Sequence, residues 1–239
     1  ILARDSATNN FLEYDALYTS LSGGTYPVRG LPDKENDFGI YVVDKWNNYS
    51  DTLFFTCTPW REDYLDKKLF VRKQVQGDVR WNFFGGAETM LWDDLVDTWS
   101  YASTNDPVEF PHLTTIDLGV EVKLSRIRVW QRPHESTTYQ HGNPKRYRIY
   151  GRLDDPGTGN ASNILDGWTL LRECQSFKPS GLPVGQVSAE DEEYAAAGEE
   201  YPFPRDIEVI RYLRLEMLEA WSSMKSTCFS EISLWGTIQ

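Results

Sequence analysis

The stretch Trp130-Gln-Arg-Pro-His-Glu-Ser-Thr-Thr-Tyr-Gln-His-Gly-Asn143 is long and polar, and it holds two aromatics and two of the chain's three histidines. Its side chains suit the recognition of hydroxyl-rich ligands. The Arg132 guanidinium is a planar fork of donors, and the Asn143 amide offers both a donor and an acceptor. His134 and His141 can add contacts, and Tyr139 can stack. Three further aromatics lie in neighbouring loops: Trp99 and Tyr101 after Leu91-Trp-Asp-Asp-Leu-Val-Asp-Thr, and Trp221 in Glu219-Ala-Trp-Ser-Ser223. An indole or phenol ring has an apolar face and a polar handle, so it either fills a core or meets a ligand face. Each polar candidate has a structural alternative, with Arg132 in a salt bridge and Asn143 as a turn former before Pro144.

Catalytic chemistry has no comparable support. Glycoside hydrolysis needs two carboxyls about 5–10 Å apart across a bond, and the many acids here occupy no recognisable setting of that kind. Gly-x-Ser-x-Gly, His-Glu-x-x-His and phosphate-loop motifs are all missing, and three scattered histidines make no triad. The chain reads as a non-enzyme.

Composition narrows the partners. Among 239 residues, Asp and Glu total 36 against 24 Lys and Arg, a net charge of −12. Such a balance disfavours nucleic acid and anionic membrane surfaces, both of which attract basic side chains. No run of about 20 apolar residues can span a bilayer. The chain opens on Ile1 without a signal peptide and reads as a mature or truncated fragment. Cys57, Cys174 and Cys228 form no Cys-x-x-Cys. A Cys174–Cys228 disulfide is one option, and burial as small hydrophobes is the favoured one.

Positioning these residues falls to two β-rich blocks. In the first, Phe38–Asp44 and Thr52–Thr58 read as strands around the turn Trp46-Asn-Asn-Tyr-Ser50. Phe11–Thr19 and Gly24–Val28 are weaker strand candidates. Residues 1–60 thus suggest a partial sandwich. The charged stretch 61–76, with Leu65, Leu69 and Phe70, reads as a linker. From 77 to 239, strands are expected at Thr114–Leu118, Leu124–Gln131, Arg146–Gly151, Trp168–Cys174, Tyr212–Leu218 and Glu231–Gly236. Ile127 and Val129 should share one face there, with Arg126 and Arg128 on the other. Many short alternating strands argue for a jelly roll. Ser188-Ala-Glu-Asp-Glu-Glu-Tyr-Ala-Ala-Ala197 carries a capping serine, early acids and a following Gly198, so it predicts a short helix. Its acidic run reads as a solvated face.

The second block resembles the coagulation factor V/VIII type C, or discoidin, family, whose galactose-binding-like fold is a β jelly roll. The matching pieces run in order. They are Leu91–Trp99, His112-Leu-Thr-Thr-Ile-Asp-Leu-Gly119, Val122–Arg132, Asn143-Pro-Lys-Arg-Tyr-Arg-Ile-Tyr-Gly151, Gly167–Leu171, Arg211–Glu216 and Ser230-Glu-Ile-Ser-Leu-Trp-Gly236. The first block is similar to the fibronectin type III-like modules of Bacteroidetes surface lipoproteins. That likeness rests on Val42–Leu53 and Thr58-Pro-Trp60. The resemblance implies a non-catalytic, lipid-anchored protein on the extracellular face of the outer membrane. There it would capture an oligo- or polysaccharide for a polysaccharide-utilisation system, alongside other outer-membrane glycan-uptake proteins. The alternative is a protein-interaction or adhesion module without a sugar site.

The same resemblance places Arg132 and Asn143 where sugar-binding relatives contact ring hydroxyls. It implies that Trp99 is packed within the domain, which leaves Trp221 as the favoured sugar platform. It also implies a structural calcium between the opening loop and the last strand, with Asp93, Thr98 and Glu231 as ligand candidates and Asp94 and Asp97 able to compensate; the alternative is Glu231 bonding backbone amides of that loop. Asp93-Asp94 stands where relatives carry Asp-Gly.

Overall fold

Alternating apolar residues, broken by Gly, Asn and Asp turns, fold this chain into short antiparallel strands. The computed structural model describes residues 1–5, 7–17, 28–31, 33–104, 109–133, 138–158, 162–222 and 225–239. The expected strand at Gly24–Val28 lies almost wholly outside them. Contacts divide the chain into Ile1–Arg61 and Glu62–Gln239.

In the first unit, β1 (Leu2–Arg4), β2 (Phe11–Glu13), β3 (Asn36–Ile40) and β4 (Leu53–Cys57) form one antiparallel sheet, ordered β2-β1-β3-β4. Phe38 is buried, with the Phe55 ring stacked on it at 5.5 Å. The turn before β4 is an Asp44 turn: Oδ1 accepts the Trp46 and Asn48 amides, and Asn47 takes φ +63. The described residues supply one layer of a sandwich.

The second unit holds β5 (Asp63–Tyr64), β6 (Val71–Lys73), β7 (Ala102–Ser103), β8 (His112–Trp130), β9 (Pro144–Arg152), β10 (Thr169–Gln175), α1 (Ala189–Ala197), β11 (Glu199–Pro202), β12 (Ile210–Ala220), β13 (Cys228–Phe229) and β14 (Glu231–Ile238). The strands expected at 114–118 and 124–131 are one continuous strand, β8. Residues 112–117 pair with β12 on one edge, and 115–117 pair with β6 on the other. Farther along, 122–130 pair with β14, and 126–129 with β11. One strand therefore joins two layers, which β9, β10 and β5 extend. Corners of this kind are made by strands that switch sheets.

The switch falls at Gly119, where φ is +73 and Asp117 Oδ1 accepts the amide at 2.9 Å. A Cβ there would lie 2.7 Å from the Leu69 carbonyl oxygen. Ile116, Leu118, Val122, Leu124, Ile127 and Val129 point into a core shared with β9, β12 and β14. Each fully buried Ile or Leu contributes roughly 1.5–3 kcal/mol. Arg126 and Arg128 face outward, as the alternation predicts, and both pair with Glu200.

Residues 61–76 are not a linker. Leu65 and Phe70 are core residues, the Leu65 amide bonds the Leu234 carbonyl at 3.0 Å, and β5 and β6 are sheet strands. The charge of this stretch disguised it, because its basic side chains find acidic partners across the fold. Helix α1 is where it is expected: Ser188 and Asp191 form a reciprocal capping box, and Gly198 ends it at φ +76. Its acidic run is not wholly solvated, because Asp191 is buried and accepts the Ser180 amide and hydroxyl at 2.9 and 2.6 Å. All three cysteines are free. Cys174 and Cys228 are buried, which pushes both thiols up to about 12.

Gly119→Ala combines a left-handed backbone with a backbone clash. It should lower unfolding free energy by about 2 kcal/mol or more in urea titrations. Ala at the open, equally left-handed Gly181 serves as the control for backbone strain alone.

Candidate functional site

The segment after β8 is held by its own amide. Asn143 is buried, its Oδ1 accepts the Arg132 amide at 2.9 Å, and its carbonyl accepts the Trp221 amide at 2.8 Å. It therefore fastens the two ends of the 131–143 segment to the loop after β12, and its Oδ1 is engaged in that clamp rather than turned to a ligand. Tyr139, expected as a stacking ring, is fully buried at φ +52. Its hydroxyl donates to the Phe177 carbonyl and its amide to Gln131 Oε1, both at 2.9 Å. Burial and the nearby Glu199 carboxylate raise its phenol far above the ordinary value. His141 is exposed, at φ +50. His134 lies outside the described residues.

Trp221, favoured as the platform, is half-buried. Its Nε1 donates to Ser176 Oγ at 3.0 Å, its ring meets Tyr139 edge-on at 5.3 Å, and the Lys145 ammonium lies 5.2 Å from its centre. Ser176 Oγ in turn bonds the buried Glu199 carboxylate at 2.5 Å. These contacts make Trp221 part of the scaffold under the loops.

Among the described indoles of the second unit the exposed one is Trp99 instead, 79% accessible, the reverse of the packed position implied by the resemblance. Local turn chemistry turns it outward: Asp97 Oδ1 accepts the amides of both Trp99 and Ser100 at 2.6 Å. Beside it, Arg132 Nε donates to the Thr98 carbonyl at 2.6 Å, and the guanidinium lies 3.9 Å from the centre of the Tyr101 ring. Tyr101 is buried, and its hydroxyl donates to the Phe84 carbonyl at 2.8 Å. Phe84 is 65% exposed at φ +54. It went unremarked in the sequence, although Asn82-Phe-Phe-Gly-Gly86 is an aromatic in turn chemistry. The structure thus brings Trp99, Tyr101 and Arg132 together on one loop wall, with Asn143 as the clamp behind.

The calcium candidates do not fit a metal. Asp93 Oδ1 accepts the Leu95 amide and Oδ2 the Ser100 hydroxyl, while the Thr98 hydroxyl donates to the Pro133 carbonyl. Glu231 is buried, with Oε2 on the Asp94 amide at 2.8 Å and Oε1 on Lys67 Nζ at 2.8 Å. Lys67 Nζ also meets Asp94 Oδ1 at 2.6 Å. Burial pushes the Glu231 carboxyl up to about 7, against the pull of Lys67. Burial alone would lower the Lys67 ammonium, but hydrogen bonds to Asp94 and Glu231 hold it above its ordinary value. Nothing in the sequence marked Lys67, which lies in the stretch read as a linker.

Comparisons with known proteins agree with this architecture. A family described as a domain of unknown function, DUF5000, matches residues 92–236, and a second domain of unknown function, DUF5126, matches 1–68. The solved SusE-like protein BT2857 is 34% identical with a TM-score of 0.72, over 89% of this chain and 80% of that one. CBM32-3 from a family 31 glycoside hydrolase of Clostridium perfringens is 16% identical with a TM-score of 0.51, over 73% of this chain and 95% of that one. The CBM32-1 and CBM32-2 domains of ZmpB, also from Clostridium perfringens, are 14% identical with a TM-score of 0.51, over 73% and 37%. The likeness to these modules is one of fold. No curated protein matches the sequence.

Asn143→Ala should act on stability before it acts on binding. Loss of its buried bonds should cost about 1–3 kcal/mol. Hydrogen exchange should show faster exchange at the Arg132 amide; unchanged protection there would remove Asn143 as the clamp.

Proposed function

This chain belongs to the DUF5000 family and is SusE-like, and from that premise we propose that it is a non-catalytic glycan-binding protein of the bacterial cell surface. The observation that carries the reading is the outward indole of Trp99 on a wall stiffened by Arg132 and Tyr101. An indole face stacks on the C–H face of a sugar ring. Arg132, with His141 nearby in sequence, carries the donor chemistry that would bond ring hydroxyls and set direction. Two buried glutamates of the second unit have structural partners. Glu199 is enclosed by Ser176, Phe177 and Tyr201 donors, and Glu231 by Lys67 and the Asp94 amide.

An outer-membrane-associated position follows the SusE-like relationship, and a lipid anchor and neighbouring glycan-uptake proteins complete the same proposal. No helix among the described residues is long and apolar enough to cross a membrane.

Affinity gels charged with a panel of soluble polysaccharides test the reading. Trp99→Ala should weaken retention about tenfold or more, equivalent to about 1.4 kcal/mol. Trp221→Phe, which keeps the packing on Tyr139, should retain the larger part. Unchanged retention in Trp99→Ala would move the site elsewhere. A wild-type chain retained by no polysaccharide would hand the surface to protein docking.

A further inference from the structure

We propose that Lys67 is a built-in cation for the opening loop, doing with an ammonium what the resemblance assigns to a divalent metal. The inference concerns how that loop is held and stands whether or not Trp99 meets a sugar. Two carboxylates converge on one point, and that point is Lys67 Nζ: Asp94 Oδ1 lies 2.6 Å away and Glu231 Oε1 2.8 Å away. The lysine side chain is 5% exposed, and the Tyr64 ring centre is 5.5 Å from the ammonium. Glu231 reaches the loop a second time through Oε2 and the Asp94 amide. The loop is thus fastened to the start of β14 by one charge bridge and one hydrogen bond.

Asp94 explains why the lysine is needed. It adopts φ +65, a left-handed conformation that glycine takes freely and aspartate tolerates at some cost. Its side chain brings a negative charge beside the buried Glu231. Lys67 and the Tyr64 hydroxyl both donate to Asp94 Oδ1, at 2.6 and 2.8 Å, so the charge and the backbone are stabilised together. The position of Lys67 is itself fixed. It opens a 3-10 turn, Lys67–Leu69, between β5 and β6, and Asp66 Oδ1 caps that turn through the Lys68 amide at 3.0 Å.

A calcium ion takes about 6–8 oxygens at 2.3–2.6 Å. Here the other candidates face different partners, Asp93 toward Leu95 and Ser100 and Thr98 toward Pro133. A divalent ion placed between Asp94 and Glu231 would press on a positive charge already there. Lys178 shows the same device in another loop: its buried ammonium donates to the carbonyls of Leu182, Pro183 and Gln186, at 3.0, 3.2 and 2.5 Å.

The test is thermal unfolding of the full chain, with millimolar calcium or with EDTA, for wild type, Lys67→Ala and Lys67→Met. The wild-type melting temperature should not move with either addition. Both variants leave Asp94 and Glu231 without their cation and should melt roughly 10 °C lower. Calcium should recover part of that loss in Lys67→Ala, whose shortened side chain vacates the space. Lys67→Met keeps the length of the stem without its charge, so it separates packing from electrostatics and covers the case in which the alanine variant does not fold. A wild-type melt that rises with calcium or falls with EDTA would overturn the proposal. So would Lys67→Met melting with the wild type, or a folded Lys67→Ala indifferent to calcium.

Discussion

The backbone of β8 must be hydrogen-bonded along 19 residues in two different layers, and the rest of the second unit follows from that requirement. Its first half needs β12 and β6, and its second half needs β14 and β11. Between them the chain has to turn where Leu69 crowds it, and only a residue without Cβ fits at φ +73. The strand ends at Trp130, directly opposite Glu231, and the Ser230 amide bonds the Trp130 carbonyl at 3.1 Å. Arg132, two residues beyond the strand, is thereby delivered to the Thr98 carbonyl. Glu231, at the head of the partner strand, is delivered to the Asp94 amide. The candidate surface is a consequence of where one long strand stops.

Charge handling is the second theme. The chain is strongly acidic, yet several buried acids are held by internal donors or cations. Asp78 is matched by Arg214 at 3.0 Å, with both side chains fully inaccessible, and Arg214 also donates to the carbonyls of Ile164 and Gln76. Removing one member of such a pair typically costs about 3–5 kcal/mol, because the other charge stays buried and unmatched. A well-packed apolar replacement of both could be neutral, so these pairs are weak evidence for stability as such. Their value here is geometric. Each ties a loop to a strand from a distant part of the sequence.

Regular elements were legible in the residues because periodicity reports burial directly. Ile127 and Val129 against Arg126 and Arg128 is a period-two pattern, and Ser188 to Gly198 carries both helix stops. The site was less legible, for a physical reason. Arg, Asn, Tyr and Trp near loop ends are equally suited to contacting a ligand and to satisfying the loop's own backbone. Asn143 and Tyr139 do the second, and Trp221 divides itself between Tyr139 and Ser176. Trp99 is a ligand-facing candidate by residue type and a packed one by family likeness, and the residue that decides between them is Asp97, whose carboxylate folds the turn beneath it. Lys67 was invisible because a lysine in a charged run looks like solvated surface until the partner carboxylates, 27 and 164 positions away, are folded against it.

An exposed indole is costly for a folded chain, since its apolar area stays in water. Preorganisation gives that cost a use. The loop bearing Trp99 is fastened at Asp93 to Ser100, at Asp94 to Lys67 and Glu231, at Asp97 to its own amides, and at Thr98 to Arg132. A sugar ring stacked there, as proposed, would order little that is not already ordered, so the entropy penalty of binding would be small. The same rigidity limits what one contact can achieve. A shallow wall would bury little ligand area, so affinity per site would be low, and firm capture would depend on several such sites acting on one polymer. A repetitive polysaccharide facing many copies on one cell surface supplies that multiplicity, which a short soluble ligand cannot.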